Sequence, residues 1–291
     1  FDNTTGSNNV AVGRNALENN TTASHNTAVG YQALYDNTTG TRLIAVGSNA
    51  LSNNTTANYN VAVGHNSLLV NTTGTGNIAV GDSALYLNTT GEGNTAIGTF
   101  DGTILPALYS NTTGSSNVAV GTGALKQNTT ASNNTAVGFS AGFSNTTGTQ
   151  NTFVGKASGY SNTTGNNTAF FGEDAGVNNT TGNYNVGLGS DALRSNTTAS
   201  HNTAVGYQAL VNNSTGYENT FVGYISGDAI TTGPQNTGIG YHAGGGVTTG
   251  ASNTFIGHGS GNAITTGNSN TILGRYNGNQ GGLDIRTSSN N

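Results

Sequence analysis

The chain has 291 residues, of which 7% are charged and 33% hydrophobic, and its formal net charge is −5. It contains 46 Gly, two Pro and no Cys, Met or Trp. So few apolar side chains cannot fill a conventional globular core of that length. The scattered cations exclude the basic patch that binds nucleic acid, and the lack of Cys excludes disulfides and thiol chemistry. No apolar run is long enough to span a bilayer, so we expect no membrane insertion of this segment.

A 17-residue repeat dominates the sequence. The Gly that ends each Ala-Val-Gly-like triplet recurs sixteen times from Gly13 to Gly274, and fourteen of the fifteen intervals equal the repeat length, while one is longer. With that Gly as position 0, the unit reads Gly-x-x-Ala/Ser-Leu/Gly-x-x-Asn-Thr-Thr-Gly/Ala-x-x-Asn-Thr/Val-Ala-Val. Disordered sequence does not keep so regular a period, so the sequence favours a repeat architecture.

The repeat predicts the fold. Positions 14 to 16 form a short β-branched run that predicts a strand, and the Gly- and Asn-rich stretches predict turns. A unit of this length suits one coil of a solenoid. We therefore expect an all-β fold, a parallel β-solenoid (β-roll) of sixteen coils over 1–274, followed by a tail or linker over 275–291. The one long interval predicts an insertion loop at about 99–104.

Stacked coils would place equal positions in columns, where side chains bond to their equivalents above and below. Position 7 is Asn in thirteen coils and then Ile or Val in three, which predicts an inward-facing Asn ladder. Position 9 is Thr in every coil and predicts a structural Thr ladder, with position 8 as the outward Thr. The Asn ladder includes Asn20, Asn37, Asn54, Asn71, Asn88, Asn111 and Asn128, and the Thr ladder Thr22, Thr39, Thr56, Thr73 and Thr90. Glycosylation of the Asn-x-Thr sequons is the alternative.

Positions 4 and 15 exchange large and small side chains. Leu at position 4 follows Ala or Gly at position 15, whereas Phe at position 15 is followed by Gly at position 4, so the two positions share one packed space. If positions 14 and 16 fill the coil interior, position 15 points away from it, and the shared space lies between chains. Packing against the chain's own corner is the alternative. The expected intersubunit residues are Leu17, Leu34, Leu51, Phe153, Phe170, Phe221 and Phe255.

Three segments carry a resemblance to a known family. Asn133–Gly138, His201–Leu210 and Asn111–Gly121 resemble the head repeats of trimeric autotransporter adhesins and related repeats of bacterial surface and phage tail-fibre proteins. The resemblance covers roughly residues 3–274. It implies a trimeric, left-handed parallel β-roll with an attachment function outside the cell. The C-terminal segment from Leu283 to Asn291 resembles segments between a fibre shaft and a C-terminal chaperone domain.

Candidate sites for chemistry are scarce. The Asp residues do not share one column, which argues against a metal site, and no two carboxylates are expected to converge as glycoside hydrolysis requires. We therefore expect no enzyme activity and no cofactor. The insertion supplies the partly apolar Phe100, Asp101, Ile104 and Pro106, either as a receptor-contact loop or as a tolerated bulge.

These observations together predict a function. We expect a non-enzymatic, extracellular fibre shaft or attachment segment of a cell-surface adhesin or virion tail fibre. Its partners would be itself, as a homotrimer, and a cell-surface or glycan receptor, with no nucleic acid. An ice-binding β-solenoid with Thr ladders is one alternative, and a glycan-cleaving tailspike is the second.

Overall fold

The computed structural model describes residues 2–275, 279–280 and 283–284. Its architecture is a parallel β-solenoid of about sixteen coils with the repeat seen in the sequence, as expected. The coils belong to two compact units, Phe1–Thr149 and Gln150–Asn291. The described residues include no helix, and hence none that is long and apolar enough to cross a membrane.

Each coil contributes one three-residue strand at positions 14 to 16. The strands of the first unit are β1 Val10–Val12, β2 Thr27–Val29, β3 Ile44–Val46, β4 Val61–Val63, β5 Ile78–Val80, β6 Thr95–Ile97, β7 Val118–Val120 and β8 Thr135–Val137. Those of the second are β9 Thr152–Val154, β10 Ala169–Phe171, β11 Val186–Leu188, β12 Thr203–Val205, β13 Thr220–Val222, β14 Thr237–Ile239, β15 Thr254–Ile256 and β16 Thr271–Leu273. The expected tail lies mostly outside the described residues; within it, β17 Asn279–Gln280 pairs antiparallel with β18 Leu283–Asp284.

The strands of each unit pair in parallel and in repeat register. Ala28 pairs with Ala45, for example, which is its equivalent in the next coil. The insertion leaves this register intact, because Thr95 of β6 pairs with Val118 of β7 across the one long interval. Equal repeat positions therefore lie in columns within each unit, about 4.8 Å apart along the stack.

The Gly at position 0 is required by a close approach of neighbouring coils. Gly30 has φ +139°, and a Cβ on it would overlap the carbonyl oxygen of Gly47 in the next coil. No L side chain fits that space, and few adopt that backbone conformation. The fixed Gly is thus the corner at which every strand ends.

The coil interior differs from the sequence expectation. Beyond the first strand, position 15 points inward and is buried, as at Ala28 and Ala45, whereas positions 14 and 16 are exposed or half-buried. Position 4 faces the same interior, where Leu34 and Leu51 are also fully buried. Positions 3, 4, 7, 10, 13 and 15 therefore form the core, and positions 14 and 16 form an outer face of the sheet.

The predicted intersubunit role of positions 4 and 15 is wrong. A Cβ on Gly159 would overlap the ring of Phe153, and one on Gly176 would overlap the ring of Phe170, so Phe occupies the volume that Leu fills elsewhere. The shared space exists, but it is inside a single chain. The residues expected between subunits are all 0% exposed and out of reach of a second chain: Leu17, Leu34, Leu51, Phe153, Phe170, Phe221 and Phe255.

Candidate functional surfaces

The position-7 asparagines form a ladder in the interior. The Nδ2 group of Asn37 donates to Oδ1 of Asn20 at 3.2 Å, and that of Asn54 donates to Oδ1 of Asn37 at 3.0 Å. The Nδ2 group of Asn37 also donates within its own coil, to the carbonyl of Gly40 at 3.0 Å. Bonds between coils join the ladder residues named above: Asn20, Asn37, Asn54, Asn71, Asn88, Asn111 and Asn128.

A second Asn ladder at position 13 was missed by the sequence analysis. Oδ1 of Asn60 accepts the backbone N–H of Asn77 at 2.8 Å, and Nδ2 of Asn60 donates to the carbonyl of Gly74 at 2.9 Å. That carbonyl also accepts a bond from Asn71 of the position-7 ladder. The signal that could have predicted this ladder is the Asn that occupies position 13 in fourteen coils. The two ladders share this carbonyl as an acceptor and together form a hydrogen-bonded polar core.

The ladder geometry argues against glycans on the sequons. The side chains of Asn20, Asn37 and Asn54 are 0% exposed, and each Nδ2 is a hydrogen-bond donor within the core. A sugar on that nitrogen would have to displace both the core and the bond. The folded chain therefore has no room for the alternative use of these residues.

The two Thr columns exchange the roles that were expected of them. The hydroxyl ladder is at position 8, where Oγ1 of Thr38 donates to the carbonyl of Thr55 at 3.0 Å. Position 8 is half-buried in most coils, and position 9 is exposed in all sixteen. In the described chain, no position-9 hydroxyl has a hydrogen bond to protein, so the expected ladder of Thr22, Thr39, Thr56, Thr73 and Thr90 is instead a row of free hydroxyls.

Within the part of the chain that the structure describes, the exposed Val, Ile and Leu side chains lie on the outer face of the strands, which we call the strand face and define as positions 14 and 16. Val46 is 36% exposed and Ile239 44%, while Ala45 and Gly238 at position 15 of the same strands are buried. Apolar residues occupy position 16 in every coil of both units. Exposed apolar side chains that gather on one face are typical of interaction surfaces.

An aromatic column borders the strand face in the second unit. The rings of Tyr207, Tyr224, Tyr241 and His258 stack at centroid distances of 5.2, 5.5 and 4.8 Å, with planes within 23° of parallel. All four residues are exposed or partly exposed. Because Tyr224 and Tyr241 are each stacked on both faces, the middle of the column presents ring edges outward and offers no open ring face to a sugar.

The insertion loop is folded onto its own unit. Oδ1 of Asp101 accepts the N–H groups of Ile104 at 2.7 Å and Thr103 at 2.9 Å, and these bonds hold the pKa of that carboxyl below its ordinary value. A Cβ on Gly123 would lie 2.9 Å from Cγ2 of Ile104. Phe100 and Asp101 are exposed, Ile104 is half-buried and Pro106 is buried. Only the first two can meet a receptor freely.

Within the described ranges, each ion pair joins only two residues. The described residues hold no group of three or more His, Asp or Glu that could bind a metal ion. In the second unit, Oδ1 of Asp228 lies 3.2 Å from Nε2 of His242, and both side chains are less than a third exposed. Burial raises the pKa of Asp228, an effect that the nearby His242 opposes.

Comparisons with known proteins add no relative: a scan against protein-family models matches no family, and a search of curated proteins finds no match.

Proposed function

We propose that this chain is a non-enzymatic, extracellular segment of a fibre shaft or attachment head that assembles as a homotrimer. The strand face is the observation that carries the proposal. Beyond the first coil, the core residues are buried within a single chain, and yet every coil also places an apolar side chain at position 16 of its outer face. Burying such rows against equal rows of other copies would remove them from water and give a symmetric assembly.

A mechanical role fits the interior of the coils. Each coil contacts its neighbours through the strand ladder, two Asn ladders and the position-8 hydroxyls. Stability in such a stack is a sum over coils and nearest-neighbour interfaces. A fibre built in this way resists bending, and repeated weak contacts along it would give avidity for a cell-surface or glycan receptor.

The proposal is tested by crosslinking, because the chain has no Cys to interfere. Val63→Cys places a thiol on the strand face, and Thr73→Cys places a matched thiol on the exposed position-9 row. Under mild oxidation we expect covalent dimers from Val63→Cys and none from Thr73→Cys. Absence of dimers from Val63→Cys in a concentrated solution would contradict assembly through the strand face.

A further inference from the structure

The position-9 Thr row has no structural explanation. Its side chain is Thr in all sixteen coils, although the position is exposed and the hydroxyl has no protein partner in the described chain. Other exposed columns vary: position 12 holds His25, Arg42 and Tyr59 in successive coils. Exposed positions without a packing role accept many residues. Neither side-chain burial nor a hydroxyl hydrogen bond in the described chain therefore explains why position 9 is always Thr.

The sequon does not explain the row either. In three coils of the second unit the Asn of the sequon is replaced, giving Ile230-Thr231-Thr232 and its two successors. Position 9 remains Thr in all three. The identity of position 9 is thus independent of the Asn ladder and of any N-linked glycan.

The row is rigid and regularly spaced. The backbone N–H groups of Thr38 and Thr39 both donate to the carbonyl of Thr55, at 3.0 and 3.3 Å, and the same pattern ties Thr72 and Thr73 to the next coil. β-branching limits the χ1 rotamers of each Thr. A methyl and a hydroxyl group thus recur about every 4.8 Å along each unit. Such an array binds with little loss of conformational freedom.

A ligand that contacts identical groups along the whole row must itself repeat at the spacing between neighbouring coils. We propose that the position-9 Thr row binds ice. Rows of oxygen atoms on ice crystal faces repeat at a distance close to that between adjacent strands, and the hydroxyl and methyl of Thr suit a surface of ordered water. Position 11, two residues further on, carries Ser24, Thr41 and Asn58 in successive coils of the first unit, so small polar groups flank that part of the row. The row is separate in the coil from the strand face, so this function does not depend on trimer formation.

The test is thermal hysteresis and ice-crystal shape with the full chain. We expect activity in the parent and its loss in Thr73→Tyr/Thr90→Tyr, because two bulky rings interrupt the row. Ser116→Tyr is the matched control, since position 12 already holds Tyr59 and Tyr184 in other coils. Thr95→Tyr on the strand face should also retain activity. Circular dichroism verifies folding, and the isosteric Thr73→Val/Thr90→Val pair, which removes only the hydroxyls, should lower the hysteresis if the Tyr pair misfolds.

Three results would overturn the proposal: no hysteresis or crystal shaping by the parent, full activity in both Thr73/Thr90 pairs, or loss only in Thr95→Tyr. Binding of a linear polysaccharide by the row without ice activity would also overturn it. The oligomeric mass, measured on the same samples, reports on the proposed assembly separately.

Discussion

Asn213 is the last rung of the position-7 ladder, because the next coil places Ile230 where a donor amide would stand. The Nδ2 group of Asn213 donates to Oδ1 of Asn196 at 3.3 Å and to the carbonyl of Gly216 at 2.8 Å. Its own Oδ1 is buried without a hydrogen-bond partner. The carbonyl of Gly233 still accepts a bond from Asn219, so Ile230 costs the core one acceptor and not two.

The first prediction compares an interior rung with this last rung. Asn111→Ile removes the donor to Oδ1 of Asn88 and leaves that buried acceptor unpaired, so it should lower the free energy of unfolding by about 1–3 kcal/mol. Asn213→Ile also leaves one buried acceptor unpaired, Oδ1 of Asn196. At the same time it removes Oδ1 of Asn213, a buried acceptor that is already unpaired in the parent. Chemical denaturation should therefore show a smaller loss for Asn213→Ile. Equal losses would contradict the ladder account.

The second prediction concerns the shared volume of Phe153 and Gly159. Gly159→Leu should destabilise the fold, because its Cβ alone would overlap the Phe153 ring. Phe153→Ala should cost about 3–5 kcal/mol through the cavity it leaves. The double variant restores the Ala and Leu of other coils, so it should be more stable than either single variant. Additive losses in the double-mutant cycle would mean that the two positions do not share a volume.

The third prediction is a pH dependence from Asp228. Because burial raises its pKa in the folded chain, the folded state holds the proton more tightly than the unfolded state does. Stability should therefore fall as the pH rises from the ordinary carboxyl value of 3.8 to the raised one. Asp228→Asn should remove this pH-dependent fall in stability, and the variant should have a higher melting temperature than the parent at neutral pH. Asp174→Asn is the control, and a lower melting temperature for Asp228→Asn would show that the contact with His242 outweighs burial.

The fourth prediction separates the two Thr columns. Thr72→Val removes a hydroxyl that donates to the carbonyl of Thr89 at 3.1 Å, so it should cost about 0.5–1.5 kcal/mol in denaturation. Thr73→Val in the neighbouring column removes a hydroxyl with no protein partner and should leave stability nearly unchanged. A larger loss for Thr73→Val would assign the structural ladder to position 9.

The repeat predicted the solenoid, the coil length and the insertion, because a strict period leaves few other folds. The exchange between Phe153 and Gly159 also revealed their common volume. The sequence could not show on which side of the strand that volume lies. Side-chain alternation places position 15 on one face and positions 14 and 16 on the other, but it does not indicate which face is inside. The larger side chains at positions 14 and 16 led us to place those positions inside, although Ala at position 15 is the core residue. It suffices because Leu34, held at φ +52°, turns inward and fills the space.

The Thr columns were ambiguous for a related reason. Thr38 and Thr39 are adjacent and equally regular, so spacing alone cannot tell the half-buried hydroxyl from the exposed one. The Asn ladder at position 7 was easier, because replacement by Ile230 is expected only at an inward position. The ladder at position 13 had the same kind of signal in Leu43, which replaces Asn and is 0% exposed.

The native mass in solution tests the central claim most directly. Light scattering on the intact chain should give three times the chain mass of 29.1 kDa, because the homotrimer that we propose buries the strand face between copies. Val46→Lys/Val63→Lys, which charges that face, should shift the mass to that of one chain, while Thr56→Lys should leave it unchanged. A parent chain that stays at 29.1 kDa at every concentration would contradict the account.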